Sequence, residues 1–239
     1  MTQDSPTYHA ADTALVFLDP YNDFLSEGGK LWPRLQAVAT DVSLHANLVT
    51  ILAAVRRAGI PVVIAPHHRH REGDFSGWDH PTPYQLGAAR IRLFEVGTTG
   101  GEWHPDYAPH PGDVVAQEHW TASGFANTDL DYRLKQLGAH RLIFVGLIAN
   151  TCVEGTARAA VDLGYHVTLV RDASAAFSAE AMHAAHGIAR PLGQRVELAH
   201  FDLQFDRHRP LHPGAQSLRH GGVLGLFQRC VDAHHHPGQ

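Results

Sequence analysis

Leu142-Ile143-Phe144-Val145-Gly146-Leu147-Ile148-Ala149-Asn150-Thr151-Cys152-Val153-Glu154 is the stretch from which the fold is read. Leu142 to Val145 form the short, continuous apolar run of a central parallel strand, buried on both faces. Thr156 to Leu163 then carries apolar residues at helical spacing, and Gly164 supplies the stop. Thr151 and Glu154 make a T-x-x-E capping box, so Thr151 is the expected N-cap and Cys152 the first helical residue. A thiol placed there meets unpaired N–H groups and the positive end of the helix dipole. Both favour a thiolate, and both favour an oxyanion forming beside it. Cys152 is therefore the candidate nucleophile; the plainer reading is a small buried hydrophobe.

Upstream, Ala14-Leu15-Val16-Phe17-Leu18 runs into Asp19-Pro20-Tyr21-Asn22-Asp23-Phe24. An acid that closes a buried strand points into the crevice at the carboxyl ends of a parallel sheet, although Asp19 could equally start a turn before Pro20. The expected elements are strand 13–18, helix 41–58, strands 61–66 and 113–118, helix 128–137, strand 140–145, helix 152–163 and strand 165–171. The alternation of strand and helix predicts right-handed crossovers and a parallel sheet. Residues 67–112 form a long insert containing Trp78, Tyr84, Phe94, Trp103 and Tyr107, which reads as a lid, a binding wall, an oligomer contact or ordinary packing over a sheet edge.

Composition narrows the class. A chain of 239 residues with 44% hydrophobic content suits one α/β domain, residues 1–239, with a sizeable core. A formal charge of -5 gives no reason to expect nucleic acid or an anionic membrane as partner. Two cysteines do not make a disulfide framework, and with no signal sequence or long apolar span the expected location is cytoplasmic.

The blocks Leu18 to Phe24, Phe125-Ala126-Asn127-Thr128-Asp129-Leu130, Gly146 to Val153, Ala157-Arg158-Ala159-Ala160 with Gly164-Tyr165-His166-Val167, and Asp172-Ala173 resemble the isochorismatase-like hydrolase superfamily. This group of cysteine hydrolases includes nicotinamidases and N-carbamoylsarcosine amidohydrolase. The resemblance spans residues 12 to about 185 and implies a three-layer α/β/α fold around a largely parallel six-stranded sheet. It implies Asp19 as general base and Cys152 as nucleophile. It also implies a cis peptide between Leu147 and Ile148, with the N–H groups of Ile148 and Cys152 as the oxyanion hole. Phe24, His68, Trp120 and Phe125 are the expected lining of a small-molecule substrate pocket, and a homo-oligomer, dimer or tetramer, is the expected assembly. The wording around Glu118-His119-Trp120 and Ser123 to Thr128 is similar to a subgroup that includes streptothricin hydrolase, a lactam-opening enzyme.

The family's third catalytic residue, a lysine, is missing. Counting forward from Pro111-Gly112-Asp113 puts its position on Glu118; counting back from Phe125 gives His119. Glu118 is the preferred register, because a strand should hold register better than the loop after it. Three roles then stand open for Glu118: a protonated partner sharing one proton with Asp19, a receptor for a cationic substrate group, or a structural hydrogen-bond acceptor.

The resemblance implies a thiol attack on an amide, urea or lactam carbon and release of a thioester by water. The alternatives are an isochorismatase-type hydrolase, against which Cys152 argues, and a catalytically impaired relative that binds a ligand in the old pocket. No cofactor is expected. His67, His68 and His70 stand where nicotinamidases keep an Asp-x-His metal pair, but the aspartate is absent; a divalent ion such as zinc is the one exception left open. Residues 186–239 contain eight histidines and no lysine, and read as a frame-shifted version of the expected C-terminus. Within them, Val196 to Phe201 could supply a missing strand and Val223 to Phe227 a poor helix fragment.

Overall fold

Every residue of the strand Thr13–Leu18 is buried, which places it in the middle of a sheet covered on both faces. The computed structural model describes residues 7–187, 196–199 and 204–206, all within the unit Met1–His208. Its elements are β1 (Thr7–His9), β2 (Thr13–Leu18), α1 (Asn22–Leu25), α2 (Trp32–Asp41), α3 (Leu44–Ala58), β3 (Val62–Ala65), α4 (Pro83–Arg90), β4 (Val114–Val115), α5 (Leu130–Gln136), β5 (Arg141–Leu147), α6 (Glu154–Asp162), β6 (His166–Ala175), α7 (Ala179–His186), β7 (Val196–Ala199) and β8 (Gln204–Asp206). Six strands pair in the order β4-β3-β2-β5-β6-β7, all parallel, and β1 pairs with β8 as a separate parallel ribbon.

The period-2 alternation of each strand sorts the side chains into two cores. Leu15, Phe17, Ile143 and Val145 face α2, α3 and α7 through Leu35, Leu48, Ile51 and Met182. Ala14, Val16, Leu18, Leu142 and Phe144 face α5 and α6 through Leu130, Leu134, Ala157 and Ala160. This is the three-layer α/β/α arrangement. The chain leaves β2 toward one edge of the sheet through β3 and β4, then returns to β5 on the other side of β2. The carboxyl ends of β2 and β5 therefore flank the topological switch point, where such sheets open a crevice.

Several expected boundaries moved. The helix expected over 41–58 is α3, which starts at Leu44; a separate helix not expected from the sequence, α2, precedes it, and the two are divided at Ser43, whose φ of 55° is left-handed. Pro33 lies in the first turn of α2, where its missing N–H costs nothing, so it starts this helix rather than barring it. The strand expected over 113–118 ends at Val115, whereas the strand expected to stop at 171 continues to Ala175 after a register shift against β5. The strand read in Val196 to Phe201 is β7, paired parallel with β6. Val223 to Phe227 and Cys230 lie outside the described residues. Among the described residues, no single helix is long and apolar enough to cross a membrane.

Candidate active site

Asp19 and Cys152 are brought together by two neighbouring strands that nearly touch. Asp19 follows β2 directly, takes a left-handed φ of 54° just before Pro20, and is wholly buried. A non-glycine residue held in that conformation is typical of positions whose side-chain direction matters more than backbone comfort. On β5, Gly146 has a φ of 110°, and a Cβ there would lie 2.3 Å from the Leu18 carbonyl oxygen. Only glycine lets β5 come this close to the end of β2. The Leu147–Ile148 peptide is cis, as the resemblance implies, and the chain then makes one π-type turn, Ala149–Val153, before α6 begins.

That turn corrects the expected cap. Thr151 is not the N-cap of a helix beginning at Cys152; its hydroxyl points 3.4 Å to the Ile148 carbonyl, and Glu154 pairs with Arg158 instead. The expected thiolate is corrected with it. Burial, then the nearby Asp19 carboxyl, push the Cys152 thiol well above its ordinary range, outweighing hydrogen bonds from Thr151 and Tyr84. At rest Cys152 is a fully buried thiol.

The residue brought beside Asp19 is His119, not Glu118. The strand that was to carry the register ends at Val115, and beyond it the chain is held by single hydrogen bonds: His119 N–H to the Pro66 carbonyl at 2.8 Å, and His68 N–H to the His119 carbonyl at 2.7 Å. This parallel bridge between His67 and His119 turns the His119 ring inward, fully buried. Its Nδ1 lies 2.7 Å from the Thr121 carbonyl oxygen, which can only accept, so Nδ1 carries a proton. Its Nε2 lies 3.0 Å from Asp19 Oδ1. One further proton must lie on that line, either as imidazolium facing carboxylate or as imidazole facing carboxylic acid. Asp19 Oδ2 is buried and has no hydrogen-bond partner among the described residues. One ligand-type atom from each of Asp19, His119 and Cys152 lies within 4.8 Å of the others.

Glu118 points elsewhere. Its carboxylate accepts from Arg69 Nε at 2.7 Å, from the Arg69 N–H at 3.2 Å and from Arg71 Nη1 at 3.2 Å, with His68 Nδ1 at 3.4 Å. Partial burial works to raise it, but the bonds from His68, Arg69 and Arg71 prevail and hold the acid well below the usual carboxylate range. Of its three candidate roles, the geometry fits the structural acceptor. It has no proton to share with Asp19, and cations already occupy it.

The expected pocket residues separate. His68 stacks on Trp120 with ring centroids 4.1 Å apart, and both line a recess with Phe75 and Leu93. Phe24 is buried edge-on against Phe94, and Phe125 stacks on Tyr165 over the α5/α6 core. The cluster that Phe125 packs against includes Cys152. The residue missed is Tyr84. It stands on α4, and its phenol, raised in pKa chiefly by burial and next by Cys152, reaches the thiol. The three histidines at the expected metal position do not gather on one point. His67 Nδ1 bonds the His68 carbonyl, while His68 and His70 both turn to Asp74, at 2.8 and 3.4 Å. The residues present do not fit a nicotinamidase-type ion.

Comparison with known proteins adds four findings. Residues 13–199 match the isochorismatase domain, past residue 185 where the resemblance was expected to end. The chain is 33% identical over 181 residues to ureidoacrylate amidohydrolase RutB of Pantoea ananatis, covering 68% of either protein. Among solved structures, it resembles a cysteine hydrolase from Pseudomonas syringae pv. phaseolicola with a TM-score of 0.67 and 25% identity, covering 84% of this chain and 95% of that one. It also resembles N-carbamoylsarcosine amidase from Thermoplasma acidophilum, with a TM-score of 0.59 and 25% identity over 80% and 97% of the two chains.

Proposed function

The chain belongs to the isochorismatase family, and from that premise we propose that it is a thiol-dependent hydrolase of a C–N bond in a small N-carbamoyl (ureido) or amide compound. The observation that carries this reading is the meeting of Asp19, His119 and Cys152 at the sheet's switch point, their reactive atoms within 4.8 Å of one another. The substrate class is suggested by two relatives, one named for ureidoacrylate and one for N-carbamoylsarcosine, both of which carry a carbamoyl nitrogen.

In the imidazolium–carboxylate form of the pair, Asp19 Oδ2 is free to take the thiol proton as Cys152 Sγ bonds to the carbonyl carbon. The carbonyl electrons move onto oxygen, beside the N–H groups of Ile148 and Cys152. Collapse expels the nitrogen, which leaves with the proton from Asp19, and a thioester remains. Water then gives its proton to Asp19 and its oxygen to the carbon, and the thiol is restored. In that form His119 is the cation beside the base, its ring held in place by the Thr121 carbonyl.

Turnover of N-carbamoyl amino acids, ureas, amides and lactams by the wild type and Cys152→Ala tests the reading. The expected result is hydrolysis of an N-carbamoyl compound that falls by roughly 10³-fold or more in the variant. A folded wild type that turns over none of them but binds one would establish the ligand-binding relative instead.

A further inference from the structure

An aspartate oxygen, an imidazole nitrogen and a thiol within 4.8 Å of one another form a ligand set as well as a proton relay. The details of His119 strengthen this. Metal-binding histidines usually donate their second ring N–H to a carbonyl or carboxylate, which fixes the tautomer and aims the other nitrogen. His119 Nδ1 does this with the Thr121 carbonyl at 2.7 Å, so Nε2 is aimed at Asp19. Asp19 Oδ2, wholly buried, has no hydrogen-bond partner among the described residues and so offers an unused lone pair in the same place. All three side chains are fully buried, and no cation among the described residues pairs with Asp19 apart from His119 itself.

We propose that Asp19, His119 and Cys152 bind zinc or another borderline-soft divalent cation, which takes the place of the site's protons and silences the thiol. The balance is simple. The ion displaces the Sγ proton and the one proton shared by Nε2 and Oδ1, two in all, and bonds to S⁻, to the imidazole and to carboxylate. The remaining tetrahedral position is left to water or a substrate atom. A lysine at position 119 would hold an ammonium there and exclude the ion, so sensitivity to zinc follows from the exchange of lysine for histidine. The inference does not rest on the hydrolase reading, because its test needs no substrate.

The test uses the full chain carrying Cys230→Ser, which leaves Cys152 as the only thiol and silences mixed histidine–thiol sites in the tail. Titration with cobalt(II) is expected to give a thiolate-to-cobalt charge-transfer band saturating at one ion per chain, discharged by one equivalent of zinc. His119→Lys is expected to weaken that band's cobalt affinity by roughly a hundredfold or more, with circular dichroism checking that the variant is folded. No charge-transfer band at saturating cobalt overturns the proposal whatever the variants do. A band unchanged in folded His119→Lys overturns it too, by placing the ion elsewhere.

Discussion

At position 119 an imidazole is anchored on one side by a main-chain carbonyl and on the other by the base, and one residue earlier an acid is held by two arginines and a histidine. Their functions should therefore separate on mutation. His119→Gln is expected to lower kcat/KM by roughly 10²- to 10⁴-fold with little change in thermal midpoint. Glu118→Gln should leave kcat within about threefold but cost about 1–3 kcal/mol of stability, because its charged hydrogen bonds are lost. Steady-state kinetics and urea unfolding of both variants check this; equal loss of activity in the two would refute the assignment. Asp19 and Cys152 were legible in the sequence because each follows a continuous apolar strand, a signal that survives without neighbours. His119 was not. The strand before it holds for two residues only, and the chain from 116 to 129 has no period that could settle a one-residue shift.

The helix α4 was also missed, though its start signal is complete. Pro81-Thr82-Pro83 looks like a breaker, yet Thr82 caps the helix, Pro83 fills its first position and Gln85 reaches back to the Thr82 N–H at 2.9 Å. Among the described residues, the capping box lies here and not at Thr151. It places Tyr84 near the thiol, which predicts that this short helix governs access to Cys152. In a Cys230→Ser background, Tyr84→Ala should raise the rate of Cys152 alkylation by iodoacetamide by about tenfold or more. Thr82→Ala should cost α4 about 1 kcal/mol and raise the rate by a smaller amount. Alkylation at the wild-type rate in both would show that the helix does not control entry. In every case the rate should climb with pH, since the buried thiol is protonated at neutrality.

The molecule as a whole carries a buried histidine outside the Asp19–His119–Cys152 group, bonded to Ser174, the β6 residue that pairs with Gly146. His186 of α7 is 3% exposed, accepts or donates one bond with Ser174 Oγ at 3.0 Å, and is pushed down to about 4, mainly by burial and then by Arg171 and His183. Unfolded, it titrates near 6.5, so between these values the unfolded chain binds more protons than the folded one. The contribution is present above about pH 6.5 and is lost as pH falls toward 4, up to roughly 3 kcal/mol. Urea midpoints at pH 7 and 4.5 should differ less in His186→Gln than in the wild type; an identical pH dependence would remove His186 from the account. The parallel sheet was readable from the alternation of strand and helix, and its six strands and three layers from the resemblance; the order of the strands was not. In the tail β7 was read, from the mostly apolar run that begins at Val196, while the scatter of His, Pro, Gly and Arg around it carries no such signal.

The insert is closed on itself. His70 and Leu93 meet by a backbone hydrogen bond of 3.2 Å, and Val96 returns one of 3.1 Å to His70, so residues 71–92 leave and re-enter the body at one point. Beyond that knot, Asp23 holds the Phe94 N–H at 2.7 Å and Asn22 holds the Thr99 and Trp103 carbonyls, tying residues 94–103 to the turn that carries the base. A lineage can therefore lengthen, shorten or exchange the 71–92 excursion at little entropic cost, whereas change in 94–103 disturbs the chemistry. The first stretch is thus the place where the molecule can be altered, and the second the place where it cannot.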